Sequence, residues 1–205
     1  MNKELETNKV FLQGVIDTDL EFNHTVKEEE FYGFNLKVSR LSGQYDIIPV
    51  IVSKKLMQEN NLEKDKEIAL RGQFRSFNKL ENDKRKLILS VFVKEICECD
   101  ENANSNVIEL DGYICKPVIY RTTPFSREIC DVLLAVNRNF NKSDYIPCIA
   151  WGSNAQIVSG YEVPTKLKIV GRIQSREYVK HIEGEINPIT KTAYEVSIAK
   201  LLDAE

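Results

Sequence analysis

The segments YDIIPVIVS (residues 45–53) and SDYIPCIAW (residues 143–151) are two versions of one strand. Asp46 corresponds to Asp144 and Pro49 to Pro147, and both pairs are 98 residues apart. Runs rich in isoleucine, valine and tyrosine are typical of β-strands. A proline inside such a run indicates a strand start or a strand at a sheet edge. The chain therefore uses the same strand twice.

The neighbouring segments repeat in the same order. Four further pairs match: NKVFLQGVI (8–16) with NVIELDGYI (106–114), FNLKVSR (34–40) with VLLAVNR (132–138), IALRGQFRS (68–76) with LKIVGRIQS (167–175), and LILSVFVKEI (87–96) with AYEVSIAKLL (193–202). The first two pairs keep the shift of 98, and Gly72 corresponds to Gly171 at a shift of 99. Five matching segments in one order indicate two copies of one domain, and their spacing is that of tandem domains rather than of a solenoid.

Each half is predicted to contain five strands and one short helical element. The helix falls after the third strand, within SKKLMQENNLEKD (53–65) and GSNAQIVSGYEV (152–163). A strongly bent, five-stranded Greek-key barrel with this insertion is an OB-fold. The predicted fold is therefore all-β, with two tandem OB-fold barrels at residues 1–98 and 106–205. The polar segment ECDENANSN (98–106) links them, and we expect no sheet to continue across it.

The overall composition is that of an ordinary globular protein, with 205 residues, 42% hydrophobic and 29% charged, and a net charge of −3. An anion-binding surface would therefore be a local patch. None of the five cysteines has the spacing of a zinc knuckle or redox motif, so we expect reduced thiols, no metal and no cofactor. His24 and His181 lie in dissimilar contexts, and the acidic runs 17–19 and 28–30 are typical of solvated loops rather than of a two-metal nuclease. We expect no enzymatic activity.

The strand at 145–151 separates aromatic rings from core residues, because alternate residues of a strand share one face. One set is small and apolar, as a barrel interior requires: Ile146, Cys148 and Ala150. The other set carries the rings: Tyr145, Pro147, Ile149 and Trp151. Basic residues lie in the neighbouring segments: Arg121, Arg127, Arg138, Lys142, Arg172, Arg176 and Lys180. Exposed rings beside cations predict either stacking on nucleic acid with neutralisation of its phosphates, or a protein–protein interface.

The second half resembles the bacterial single-stranded DNA-binding protein family. The resemblance rests on NVIELDGYI, VLLAVNR, DYIPCIAWGSNA, VGRIQSREY and TAYEVSIAKL, and it spans about residues 105–202. The first half fits the same frame more loosely. Its segment IIPVIVS also resembles primosomal replication proteins, which are OB-folds of the same superfamily.

This resemblance implies a set of DNA-binding residues. In the family, rings stack on bases just beyond the second strand, at both ends of the third strand, and after the fourth strand. Those places hold Phe140, Tyr145, Trp151 and Tyr178, and the two tyrosines depart mildly from the usual tryptophan or phenylalanine. The seven cations named above would neutralise phosphates. Tyr120 and Phe125 lie in the predicted loop between strands one and two, where we expect them to pack locally.

The first half lacks these rings. Carried back through the repeat, the four ring positions become Ser42, Ile47, Ser53 and Lys79. Tyr45 and Phe77 lie near equivalent places and could stack in a shifted register. The first barrel is therefore predicted to serve assembly, to contribute phosphate contacts or to dock a partner, while the second barrel is the principal binding domain.

The function implied by the resemblance is sequence-independent binding of single-stranded DNA in replication, recombination or repair. The alternative is an OB-fold interaction module of a primosome-like assembly. Family members gather four barrels, so a two-barrel chain implies a homodimer. The sequence stops at AKLLDAE, and we expect it to lack the acidic tail through which family members recruit replication enzymes. We also expect a cytoplasmic protein, because no run approaches about 18 apolar residues.

Overall fold

The computed structural model describes residues 6–81, 84–180 and 189–202. The elements of the first half are β1 (Asn8–Ile16), β2 (Glu21–Val26), β3 (Glu29–Ser39), β4 (Tyr45–Ser53), α1 (Lys54–Glu59), β5 (Glu67–Glu81) and β6 (Lys84–Cys97). Those of the second half are β7 (Asn106–Ile114), β8 (Ile119–Thr122), β9 (Glu128–Arg138), β10 (Lys142–Trp151), α2 (Ser153–Ser159), β11 (Lys166–Lys180) and β12 (Ile189–Leu202). The predominance of strands confirms the all-β prediction.

All five strands predicted for each half are present, and each half has its short helix after the third of them. One further strand occurs in each half, β2 and β8, and each pairs with the strand that follows it. The sequence analysis assigns these segments to loops, because both are short and almost wholly exposed and therefore carry no apolar alternation. Both described helices are too short to cross a membrane.

Pairing between strands closes each half into a barrel, which confirms the OB-fold prediction. In the first barrel β1 pairs with both β3 and β5, and β4 meets β6 in a short parallel pair. In the second, β7 pairs with β9 and β11, and β10 meets β12 in the same way. Equivalent apolar side chains fill the two interiors: Leu12, Leu36, Ile48, Leu70 and Phe74 in the first barrel, and Leu110, Leu134, Ile146, Ile169 and Ile173 in the second.

The two repeat prolines lie inside strands rather than at their starts. Pro49 pairs with Asn35 of β3, and the parallel pairing of β4 with β6 begins one residue later, at Val50. Pro147 has the same position in β10, where the pairing with β12 begins at Cys148. Each proline therefore has a ladder partner on one side only, which a residue without an N–H group can tolerate.

The expectation that no sheet crosses between the barrels is wrong. Strands β1 and β7 pair antiparallel, so all twelve described strands form one continuous sheet. Asn8 pairs with Leu110, and Leu12 pairs with Asn106. Under the repeat shift of 98, Asn8 corresponds to Asn106 and Leu12 to Leu110, so each pair is the equivalent of the other. The barrels are therefore related by a pseudo-twofold axis between β1 and β7. The domain limits 1–98 and 106–205 stay a prediction, with β6 ending at Cys97 and β7 beginning at Asn106.

A buried aspartate from each barrel reinforces this contact. Asp46 is fully buried, and Arg40 of its own barrel donates to both of its carboxylate oxygens. Two groups of the other barrel also reach it: Arg172 donates from Nη1 at 3.2 Å, and the backbone N–H of Ser175 donates at 2.8 Å. This one carboxylate therefore connects β4 to β11.

Asp144 makes the corresponding contact in the opposite direction. Its Oδ1 accepts a hydrogen bond of 2.9 Å from the backbone N–H of Ser76 in the first barrel. Arg138 approaches only to 3.4 Å, and its Nε has no hydrogen-bond partner among the described residues. Burial raises the pKa of the Asp144 carboxyl, although the hydrogen bond from Ser76 and the charges of Arg138 and Arg75 act to lower it. The repeat retains aspartate and serine because each pair joins the two barrels.

Gly171 occupies a place where two strands come too close for a side chain. It follows a β-bulge in β11, and a Cβ atom there would lie 2.3 Å from the carbonyl oxygen of Ser197. At Gly160, after α2, the nearest atom to such a Cβ would be 3.5 Å away, an ordinary contact. Gly171→Ala is therefore expected to lower the free energy of unfolding by about 1–3 kcal/mol. Gly160→Ala is expected to change it by less than about 1 kcal/mol. Urea titration followed by circular dichroism measures both, and equal losses would contradict the close approach.

Candidate nucleic-acid interface

The outer surface of β10 presents the rings predicted for it. Tyr145 is 43% exposed and Trp151 is 36% exposed. The intervening set, Ile146, Cys148 and Ala150, is buried in the barrel as predicted. Ile149 belongs to the outer set by alternation but is also buried.

The strand register shows that the same face of the sheet continues from β10 through β12 to β11. Ile149 lies beside Ser197 of β12, and Ser197 lies beside Arg172 of β11. Residues paired in neighbouring strands point to the same side of a sheet. Alternate residues of β11 after Arg172 therefore share this face, and they include Arg176 and Tyr178, whose ring is 38% exposed. We call the surface that carries Tyr145, Trp151, Arg172, Arg176 and Tyr178 the second-barrel face.

Three other aromatic residues lie on β8 or in the turns beside β9. Phe140 is 89% exposed in the turn between β9 and β10, with a φ of 65°. Tyr120 lies on β8 and donates a 2.6 Å hydrogen bond to Glu128, which agrees with the expected local contact. Phe125 is 88% exposed, so the prediction that it packs within the loop is wrong. It lies in the tight turn between β8 and β9.

Four of the seven predicted phosphate-binding cations already have a carboxylate partner. Arg172 pairs with Asp46 and Arg138 with Asp144 at the contact between the barrels. Arg121 pairs with Asp131 at 2.8 Å, a hydrogen bond that raises the pKa of its guanidinium, and Arg176 lies 3.9 Å from Glu195. Arg127 and Lys142 have no carboxylate partner among the residues that the structure describes. The side chain of Lys180 lies outside the described residues.

The first barrel places different residues at the four ring positions. Ile47 pairs with Lys37 as Tyr145 pairs with Ala135, and Lys79 pairs with Lys86 as Tyr178 pairs with Lys191. The register thus reproduces the offsets read from the sequence. Ser53 caps α1 by accepting a hydrogen bond from the backbone N–H of Leu56, and Ser42 lies in the turn before β4.

Sequence analysis missed a ring cluster on the first barrel. His24 stacks on Phe31 with centroids 4.9 Å apart, and Phe31 lies 5.5 Å from Phe92. The guanidinium of Arg75 lies 3.8 Å from the Phe92 ring centroid. The cluster joins β2, β3, β5 and β6, so recognising it required the unpredicted strand β2 and the barrel closure. Tyr45, a predicted alternative ring, is 53% exposed beneath the ammonium of Lys37 at 4.3 Å.

Residues 105–201 match the model of the single-strand binding protein family. The second half of the chain is therefore similar to that family. Among curated relatives, single-stranded DNA-binding protein 1 of Streptococcus pyogenes is 36% identical over 80 residues, which cover 36% of this chain and 62% of that protein. Single-stranded DNA-binding protein 1 of Staphylococcus aureus is also 36% identical over 80 residues, which cover 48% of that protein. The chain thus spans less than two thirds of the length of these relatives.

Solved structures match over both barrels. The single-stranded DNA binding protein from Thermus aquaticus superposes with a TM-score of 0.75, covering 99% of this chain and 94% of that one at 19% sequence identity. A deletion mutant of the same protein gives a TM-score of 0.73 and covers 100% of this chain. At this level of identity the likeness establishes the two-barrel fold and nothing further about residues.

Proposed function

We propose that this protein binds single-stranded DNA without sequence preference, through the second-barrel face, as a non-catalytic factor in DNA replication, recombination or repair. The observation that carries the proposal is the placement of Tyr145, Trp151 and Tyr178, three exposed rings, on one face of the barrel that matches the family. Such a function belongs in the compartment that holds the DNA, which in bacteria is the cytoplasm.

The binding would rest first on base stacking. Every base has a π-face, so a ring accepts any of the four bases, and each stacked base contributes about 1–3 kcal/mol. Trp151 and Tyr145 lie along one strand, and Tyr178 lies two strands away, across β12. Phe140, at the end of the β9–β10 hairpin, would extend this row of rings at one side.

Phosphate neutralisation would come from a smaller set of cations than the sequence predicts. Arg127 and Lys142 are available directly, whereas Arg121 and Arg176, whose own side chains are at least half exposed, would turn from Asp131 and Glu195. Arg138 and Arg172 would have to leave buried aspartates, so we assign them first to the contact between the barrels. Lys180 remains a proposed phosphate-binding residue on the basis of the sequence alone.

The first barrel would act as an accessory domain, and a homodimer would bring four barrels together. Support for the accessory role is the absence of rings at its four equivalent positions. Sedimentation equilibrium should therefore give twice the mass of one chain. A monomer would contradict the four-barrel assembly without affecting DNA binding by the second barrel.

Titration of Trp151 fluorescence with oligo-dT tests the proposal directly. Trp151 is the only tryptophan, so quenching reports on a single ring of the second-barrel face. We expect quenching by single strands and a much weaker response to a duplex of equal length. Unchanged fluorescence at low salt, or a preference for the duplex, would contradict single-strand binding.

The salt dependence should be moderate. Each phosphate neutralised on a single strand contributes about −0.7 to the slope of log K against log salt. The five cations other than Arg138 and Arg172 predict a slope of about −3.5, whereas all seven would give roughly −5. Repeating the oligo-dT titration between low and moderate salt gives the slope. A value near −5 would mean that Arg138 and Arg172 leave their aspartates when DNA binds.

An OB-fold interaction module is the second candidate. The pairing of Arg121 and Arg176 with carboxylates favours it, because a paired guanidinium on an exposed face suits a protein partner as well as a phosphate. The titration separates the two candidates, since an adaptor would leave Trp151 fluorescence unchanged by DNA.

A further inference from the structure

The first barrel has an open groove on the side that corresponds to the second-barrel face. Strand β4 carries Pro49 and Ile51 into it, as β10 carries Pro147 and Ile149 on the other barrel. The groove has a volume of about 570 Å³ and runs between the β2–β3 hairpin and the β5–β6 hairpin. Thr192 and Tyr194 of β12 contribute to its lining from the second barrel. We call this cavity the first-barrel groove.

Two exposed rings line the groove without covering it. Phe22 of β2 is 60% exposed, and Phe77 of β5 is 47% exposed. Phe22 meets Tyr32 edge to face at 6.1 Å, which holds its ring at the rim. Exposed rings around a concave surface are typical of a site that receives apolar side chains. No described part of the chain occupies it.

The charge on the β2 side of this groove is opposite to that on the corresponding side of the second-barrel face. Residues 17–30, which include β2, hold six carboxylates and one lysine, a net charge of −5. The equivalent residues 115–128, which include β8, hold three bases and one acid, a net charge of +2. Asp19 and Glu21 belong to the acidic segment and line the groove, and neither has an ion pair among the described residues.

These charges decide which occupant fits. A phosphate backbone following the same path as on the second barrel would meet uncompensated carboxylates, which repel it. A polypeptide with lysine or arginine would be attracted, and its apolar side chains could contact Phe22 and Phe77. Among the lining residues that the structure describes, Lys86 is the one base, and it already interacts with another group.

We infer that the first-barrel groove binds a cationic segment of a partner protein, with its apolar side chains between Phe22 and Phe77 and its basic side chains against Asp19 and Glu21. The two barrels thereby divide two ligands of opposite charge between them: a polyanion on the second barrel and a polycation on the first. This inference stands apart from the DNA-binding proposal, because it uses a different barrel.

The test uses the full chain and a fluorescein-labelled peptide of three Lys-Phe-Lys-Gly repeats. Fluorescence anisotropy at low salt should show saturable binding, and Trp151 emission should stay unchanged because that ring is on the other barrel. Two further peptides, with Glu-Phe-Glu-Gly and Lys-Ala-Lys-Gly repeats, should bind at least ten-fold more weakly. They lack, respectively, the complementary charge and the rings.

Matched variants locate the site. Asp19→Asn with Glu21→Gln should weaken peptide binding about five-fold or more. Glu98→Gln with Glu101→Gln changes the net charge equally but lies in the linker, and it should stay within two-fold of the parent chain. Phe22→Ala with Phe77→Ala should cost about ten-fold. All six positions are exposed, so circular dichroism should show an unchanged fold.

Three outcomes would overturn the inference. The linker variant could lose as much affinity as the groove variant, the Lys-Ala-Lys-Gly peptide could bind as tightly as the ring-bearing one, or the Phe22 and Phe77 variant could lose affinity for oligo-dT instead of for the peptide. The last result would make the groove a nucleic-acid site. Failure of the parent chain to bind oligo-dT would refute the DNA-binding proposal but leave the peptide results intact.

Discussion

Replacing Trp151 and Tyr178 together with alanine should weaken binding of oligo-dT by roughly 30-fold to 10⁴-fold. Both rings are exposed on the second-barrel face, and each is expected to contribute about 1–3 kcal/mol by stacking on one base. The double variant would thus lose about 2–6 kcal/mol of binding free energy. Competition with a labelled oligonucleotide at one salt concentration measures the loss, because the variant has no tryptophan left to report on binding.

The control is a double variant at the equivalent positions of the first barrel, Lys79→Ala with Ser53→Thr. The Lys79→Ala substitution should remove at most one phosphate contact. At the other position, Ser53→Thr keeps the hydroxyl, because Ser53 caps α1 and an alanine there would cost helix stability for an unrelated reason. Equal losses in both double variants would refute the second barrel as the principal binding surface. No loss in either would make the rings a protein interface and favour the adaptor function.

Asp46→Ala should lower the free energy of unfolding by about 3–5 kcal/mol, the cost of removing one partner from a buried ion pair. The Asp46 carboxylate is fully buried and satisfies Arg40, Arg172 and the backbone N–H of Ser175. Without it, two guanidinium groups would face each other at the barrel contact with no carboxylate between them. Urea unfolding followed by circular dichroism measures the change.

Asp144→Ala is the matched variant from the other barrel and should cost less. Asp144 pairs with Arg138 at 3.4 Å, where the Nε of Arg138 has no hydrogen-bond partner among the described residues, and burial already disfavours the charged form of this carboxyl. We therefore expect the Asp46 variant to be the less stable by about 1–2 kcal/mol. Equal losses would show that the serine contacts, which the two sites share, dominate over the arginine pairs.

The sequence by itself determined the repeat, the ten main strands and the side of the sheet on which Tyr145 and Trp151 lie. These features depend on residues close together along the chain: apolar alternation within β1, β3 or β10, and glycines at fixed places. Strands β2 and β8 were not predicted, because nearly all of their residues are exposed and their sequences show no alternation of apolar and polar residues. A strand is readable from its sequence when one of its faces is buried.

Only the tertiary structure decided which cations and rings act together. Arg172 lies 126 residues from Asp46 along the chain, and Ser175 lies 129 from it, yet the pairing of β1 with β7 brings all three into contact. The same docking places Arg172 against the buried Asp46, whereas Arg138 pairs with Asp144 of its own barrel. Local patterns specify strands and their faces, whereas these pairings follow from how two closed barrels meet, and burial at that contact makes the nearest carboxylate a stronger partner than solvent.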